Sequence, residues 1–193
     1  MSDGALVAPF EIIPFEIMTK KEAKQYFDWF VLQIPTRIDT LIAHYVETLG
    51  GGKEELDLSQ ESLVNLWKWF IQRIEMVPKT KEELEEDVDA APDWLKEEVA
   101  NNTLKFSEFT SSLIIDVGIY FGSVFLNEMR TLEWGIIHKP KKYVYVNRPI
   151  IIGFKEAGLN PIAVVNNCSL RELNQDPDDT RLFNLFNVWK GYL

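Results

Sequence analysis

One cysteine, Cys168, is all the chain contains, so no internal disulfide is possible. Two histidines, His44 and His138, stand far apart in the sequence and with a lone thiol make no zinc-binding cluster. A solitary cysteine and an N-terminus without a basic stretch ahead of a long apolar run give the expectation of a cytoplasmic protein. Basic residues are also scarce. Lys and Arg number 20 against 30 Asp and Glu, and a net charge of −10 argues against nucleic-acid binding through a general basic surface. The longest apolar run, Leu113 to Leu126, is broken by Asp116 and at 14 residues falls short of the roughly 20 that cross a bilayer. It reads as a buried helix, and no membrane partner is expected.

The common nucleotide and hydrolase motifs are missing too. Gly52-Lys53 is followed by Glu54, and Glu47 occupies the place of the first glycine of a phosphate-binding loop. No Gly-x-Ser-x-Gly elbow occurs. Asp87, Asp89, Asp93 and Glu98 fit four positions of a calcium-loop count, but Ala91 takes a ligand position and Pro92 takes that of the turn-making glycine. Proline cannot adopt the positive φ required there. Neither metal nor organic cofactor is expected. Cys168 has no basic neighbour in sequence to lower its pKa, which favours a plain thiol over a nucleophile.

What the chain has is apolar periodicity. With 193 residues and 46% hydrophobic content it can bury about 70% of its unfolded surface without a disulfide or metal, and one domain over 1–193 is the expectation. Residues 1–18 read as an extended arm, since Pro14 confines the run Phe10 to Ile17 to an edge. Thr19 and Glu22 form a capping box ahead of the stripe Ala23, Tyr26, Phe27, Phe30, Val31 and Ile34. Pro35 ends or kinks this helix. A second stripe, Ile38, Leu41, Ile42, Tyr45, Val46 and Leu49, stops at Gly50-Gly51-Gly52. Ser59 caps a third, whose stripe runs from Leu63 to Ile74. From about Ser107 to Arg130 a helix apolar on nearly all sides should lie at the centre, with Gly118 and Gly122 one turn apart for close packing.

The period then changes to two. Leu132–Ile137, Tyr143–Val146, Pro149–Phe154 and Ile162–Val165 read as strands of an antiparallel meander. Ser169 and Glu172 match another capping box, and a last helix after Asp178 carries Leu182, Leu185, Phe186 and Trp189 on one face. The expected class is α+β: a mainly helical N-terminal half against a small antiparallel sheet from the C-terminal third, closed by a C-terminal helix.

Charge and tryptophan supply the functional clues. Residues 82–98 hold nine acids and one base, a local −8 that leaves the remainder at −2. Thr80 and Glu83 cap a helix there that should be exposed until Pro92. On helical wheels Trp29 and Trp69 each fall about 130° from the centre of their stripes, outside the first core contact. Together Trp29, Trp69, Glu82, Glu83, Glu85, Glu86, Asp87 and Trp94 are the candidate binding residues for a basic protein partner, as in an immunity-type neutraliser of a basic toxin. The alternative is a hydrolase with Asp116 or Glu128 as general acid or base, Arg148 holding an anion and His138 nearby. His44 reads as a surface residue beside Arg37 on the charged face of its helix. Asp116 is expected to be buried and hydrogen-bonded.

Overall fold

The N-terminal capping box forms as its residues imply: the Thr19 amide donates to the Glu22 carboxylate at 2.8 Å, and the Glu22 amide donates to the Thr19 hydroxyl at 3.3 Å. The computed structural model describes residues 6–49, 52–155, 157–173 and 178–193. The expected glycine stop at Gly50 and Gly51, and residues 1–5 of the arm, lie outside the described residues. Helix α1 (Lys20–Leu49) merges the first two expected helices, running through Pro35. Pro35 is exposed, so water can satisfy the Val31 carbonyl that the proline ring leaves unbonded.

Helix α2 (Ser62–Ile71) follows, with the Ser59 hydroxyl accepting from the Ser62 amide at 3.2 Å. Strand β1 (Met76–Pro78), helices α3 (Lys81–Ala90) and α4 (Lys96–Asn101), and strand β2 (Leu104–Phe106) form one excursion from the helical body. β1 and β2 pair antiparallel in register Met76 to Phe106 and Pro78 to Leu104. This ribbon was not foreseen. Helix α5 (Glu108–Glu128) is the core helix, with twelve buried residues on every side of it. Its length and composition would allow it to cross a membrane, yet 67% of its most apolar window is buried inside the protein.

After α5 the expected meander shrinks to two strands. β3 (Glu133–Ile136) pairs antiparallel with β4 (Pro149–Ile152), Trp134 facing Ile151. Tyr143–Val146 is a run of turns, its amides bonding three residues back, as from Tyr143 to the Pro140 carbonyl at 2.9 Å and from Val146 to Tyr143 at 2.9 Å. Ile162–Val165 is not a strand but the first turns of helix α6 (Pro161–Glu172), capped by Asn160. Pro161 has a fixed φ suited to the first helical position, and the Asn160 side chain accepts from the Ala163 amide. Ser169 therefore lies mid-helix, and its hydroxyl donates back to the Val165 carbonyl at 2.8 Å rather than capping anything. Helix α7 (Arg181–Lys190) closes the fold, burying Leu182 and Phe186.

The result is an α+β protein, mostly helical, with small antiparallel strand pairs and a C-terminal helix. α5 packs against α1, α2 and α6, and α7 covers α2. α5 and α6 approach closely. A methyl group built on Gly118 would stand 2.7 Å from the Ile162 Cα, and one on Gly122 would meet the Trp134 ring at 2.8 Å. The two glycines thus serve packing, and Phe121, Phe125, Phe154 and Phe186 carry the aromatic core onward to α7.

Candidate functional site

The acidic segment stands away from this core. Thr80 caps α3 with a complete capping box, and α3 packs mainly on α4, with a 3-10 turn at Asp93–Leu95 between them. Neither helix nor the turn contains a buried residue. Leu84 and Val88 on α3, Leu95 at the end of the turn and Val99 on α4 are half-buried, giving the hairpin a thin apolar seam at i, i+4 spacing. Its base is fixed by the β1–β2 ribbon, where the Lys79 amide donates to the Thr103 carbonyl at 2.8 Å.

Charge is arranged unevenly on the hairpin. Lys79 pairs with Asp87 at 2.9 Å, Lys81 with Glu85 at 3.3 Å and Lys96 with Asp93 at 2.9 Å, while Lys105 of β2 holds Glu83. The Lys105 hydrogen bond, then that from the Thr80 amide, lowers the Glu83 pKa below the ordinary glutamate value. Glu82, Glu86, Asp89, Glu97 and Glu98 enter no ion pair among the described residues. Beside them, in the turn, Trp94 is 82% exposed. Among the described residues no group of three or more His, Cys, Asp or Glu could hold a metal ion.

No protein family model, no curated protein and no solved structure matches this chain.

The other candidate residues are dispersed. Trp69 is 2% exposed and belongs to the core, contrary to the wheel projection. The C-terminal half of α1 supplies the second layer: the Trp69 indole N–H donates to the Thr48 hydroxyl at 2.8 Å, its ring packs on His44 and Tyr45, and the Arg73 guanidinium covers it. His44 is accordingly half-buried between Trp69 and Phe109, not a surface residue. Trp29 is half-buried, with Phe10 of the arm edge-on at 5.9 Å and Tyr26 at 5.4 Å.

Asp116 is buried at 5% exposure, and its partner is Arg37, only 9% exposed. The Arg37 Nε and Nη2 donate to the two carboxylate oxygens at 2.5 and 2.6 Å, a bidentate pair. Arg37 was assigned to the charged face of α1, but it heads the buried i, i+4, i+8 row Arg37, Leu41 and Tyr45. Tyr120 bonds elsewhere, to the Ser62 hydroxyl at 2.7 Å and the Leu58 amide at 2.9 Å.

The hydrolytic set is not assembled around Asp116. Glu128 is exposed at the C-terminal end of α5. His138 bonds through Nδ1 to the Asn147 side chain at 2.7 Å. Arg148 pairs with Glu16 at 3.1 Å and lies over the Phe15 ring. His138 and Arg148 therefore belong to a clasp that holds the N-terminal arm. Asn147, which sequence reading passed over, is its centre: it is buried at φ 60 and donates to the carbonyls of Phe15 and Met18 at 2.7 and 3.2 Å. A positive φ suits asparagine better than most residues, and an Asn after an alternating run was the available signal.

Proposed function

We propose that the protein is a non-enzymatic binding protein, acting in the cytoplasm, whose acidic helical hairpin engages a basic protein partner, in the manner of an immunity-type neutraliser. The observation that carries this reading is Trp94, 82% exposed in the turn of a projection that contains no buried residue. A tryptophan held in solvent adds little to the core, and tryptophan is among the side chains most enriched in residues that dominate interface energy. Around it Glu82, Glu86, Asp89, Glu97 and Glu98 are available to a cationic surface. Such charges raise the association rate and reject wrong partners, whereas the aromatic anchor supplies affinity.

The ion pairs suggest a cleaner test than neutralising the whole run. Changing Glu82, Glu86, Asp89, Glu97 and Glu98 to Gln or Asn leaves the four hairpin lysine pairs in place. A partner recovered with the parent protein and identified as basic should bind this variant more slowly and lose most affinity for Trp94→Ala, by about 2 kcal/mol or more. Its association with the parent should slow as salt rises, since screening shortens attraction to about 8 Å near physiological ionic strength. A partner that binds both variants like the parent, at a rate indifferent to salt, removes the hairpin from the function.

A further inference from the structure

A second feature lies where the arm crosses the helical body. Phe15 of the arm, Tyr26 and Phe30 of α1, Ile114 of α5 and Ile162 of α6 wall a cavity of about 350 Å³, within the size range of small-molecule sites. Although the chain carries 30 acids, no Asp or Glu among the described residues lines this cavity. Its polar lining is Ser111, Arg148, Asn160 and Asn166.

Several polar groups there have no protein partner among the described residues. Asn160 is only 9% exposed, and its Oδ1 is committed to the Ala163 amide at the start of α6. Its Nδ2 donates to no acceptor among the described residues and is open to solvent, so a ligand can accept from it in place of water. The hydroxyls of Tyr26 and Ser111 and the side chain of Asn166, none of them buried, likewise have no hydrogen bond within the protein among the described residues. The positive end of the α6 dipole lies at the same wall, in a helix of 12 residues. Arg148 adds a full charge, and the group it already holds is a carboxylate, that of Glu16 at 3.1 Å.

We propose that this cavity is a binding site for a small carboxylate carried on an apolar body. The carboxylate takes Arg148, in exchange for Glu16, together with the amide of Asn160. The body lies against the three aromatic rings. One cation matches one negative charge, and largely apolar walls disfavour a polyanion such as a phosphate ester. Glu16 is then an internal competitor, so the two partners of one salt bridge should act on affinity in opposite directions. A merely structural pair would not behave in this way.

Titration calorimetry on the full chain with octanoate, octanol and octylammonium tests the site. Octanoate should bind saturably at one site, about tenfold or more tighter than octanol, with octylammonium weaker still. Arg148→Met should lose that preference for octanoate, and Glu16→Gln should raise octanoate affinity. Ser111 is exposed on the rim, so Ser111→Trp should block binding with an unchanged melting temperature. Should Arg148→Met fail to fold, the Glu16→Gln and Ser111→Trp results still decide. Equal binding of octanoate and octanol, weaker octanoate binding by Glu16→Gln, undiminished binding by Ser111→Trp, or no binding to the parent would each overturn the proposal.

Discussion

Asp116 and Arg37 are the residues on which the helical body is most sensitive to a single change. Removing one member of a buried ion pair strands the other charge, so Asp116→Ala should lower unfolding free energy by about 3 to 5 kcal/mol, read from denaturant midpoints. The double variant Arg37→Met with Asp116→Leu should recover most of that loss, because no charge is left buried. A midpoint for Asp116→Ala equal to the parent's would show that the pair contributes nothing. Cys168 gives a second outcome at this scale. It is buried, and desolvation pushes its pKa up to about 11. At pH 8 its thiolate fraction is then on the order of one in a thousand. A disulfide reagent should therefore label Cys168 only on unfolding, and rapid labelling of the native protein would contradict its burial. The burial of Asp116 was legible because a carboxylate stood alone in an apolar helix. Its partner was not, because Arg37 lies 79 residues away and sequence periodicity says nothing about which helices meet.

Elements with long apolar stripes were legible, while short ones were not. Helices α1, α2 and α5 show in the sequence because each repeats its apolar pattern over several turns. Tyr143–Val146 alternates like a strand, yet it is itself a run of turns, and no strand among the described residues pairs with it. Ile162–Val165 is β-branched, but Asn160-Pro161 is a helix start, and a four-residue apolar run cannot choose between the two periods. β1 and β2, three residues each, carry no alternation long enough to detect. The α5–α6 contact provides the test at this scale. Gly118→Ala would place its methyl group 2.7 Å from the backbone of Ile162, which cannot rotate away. Overpacking of this kind should cost about 1 to 3 kcal/mol in a denaturant titration, despite the better helix propensity of alanine. A stabilised Gly118→Ala would mean that the two helices are free to separate.

For the molecule as a whole, the sequence shows where charge is concentrated but not how it is displayed. The −8 over residues 82–98 is plain in the composition, whereas the projection of that segment depends on the β1–β2 ribbon. The cavity beneath the arm was wholly illegible, since its walls come from five separate stretches of chain. The ribbon has one more consequence. Because the Lys79 amide donates to the Thr103 carbonyl, the two ends of the excursion enter and leave the body side by side, and the body does not register how much chain lies between them. Loop-closure entropy grows only slowly with length, so residues 80–102 amount to a cassette. Replacing them with Asn-Gly, which favours the tight turn of a two-residue hairpin, should leave a soluble protein within about 1 kcal/mol of the parent in unfolding free energy. An insoluble or unfolded product would show that the body leans on the hairpin after all. A cassette of this kind can change sequence, length or partner through evolution while the helical body stays the same, and it could be grafted onto any other protein that presents two adjacent antiparallel strand ends.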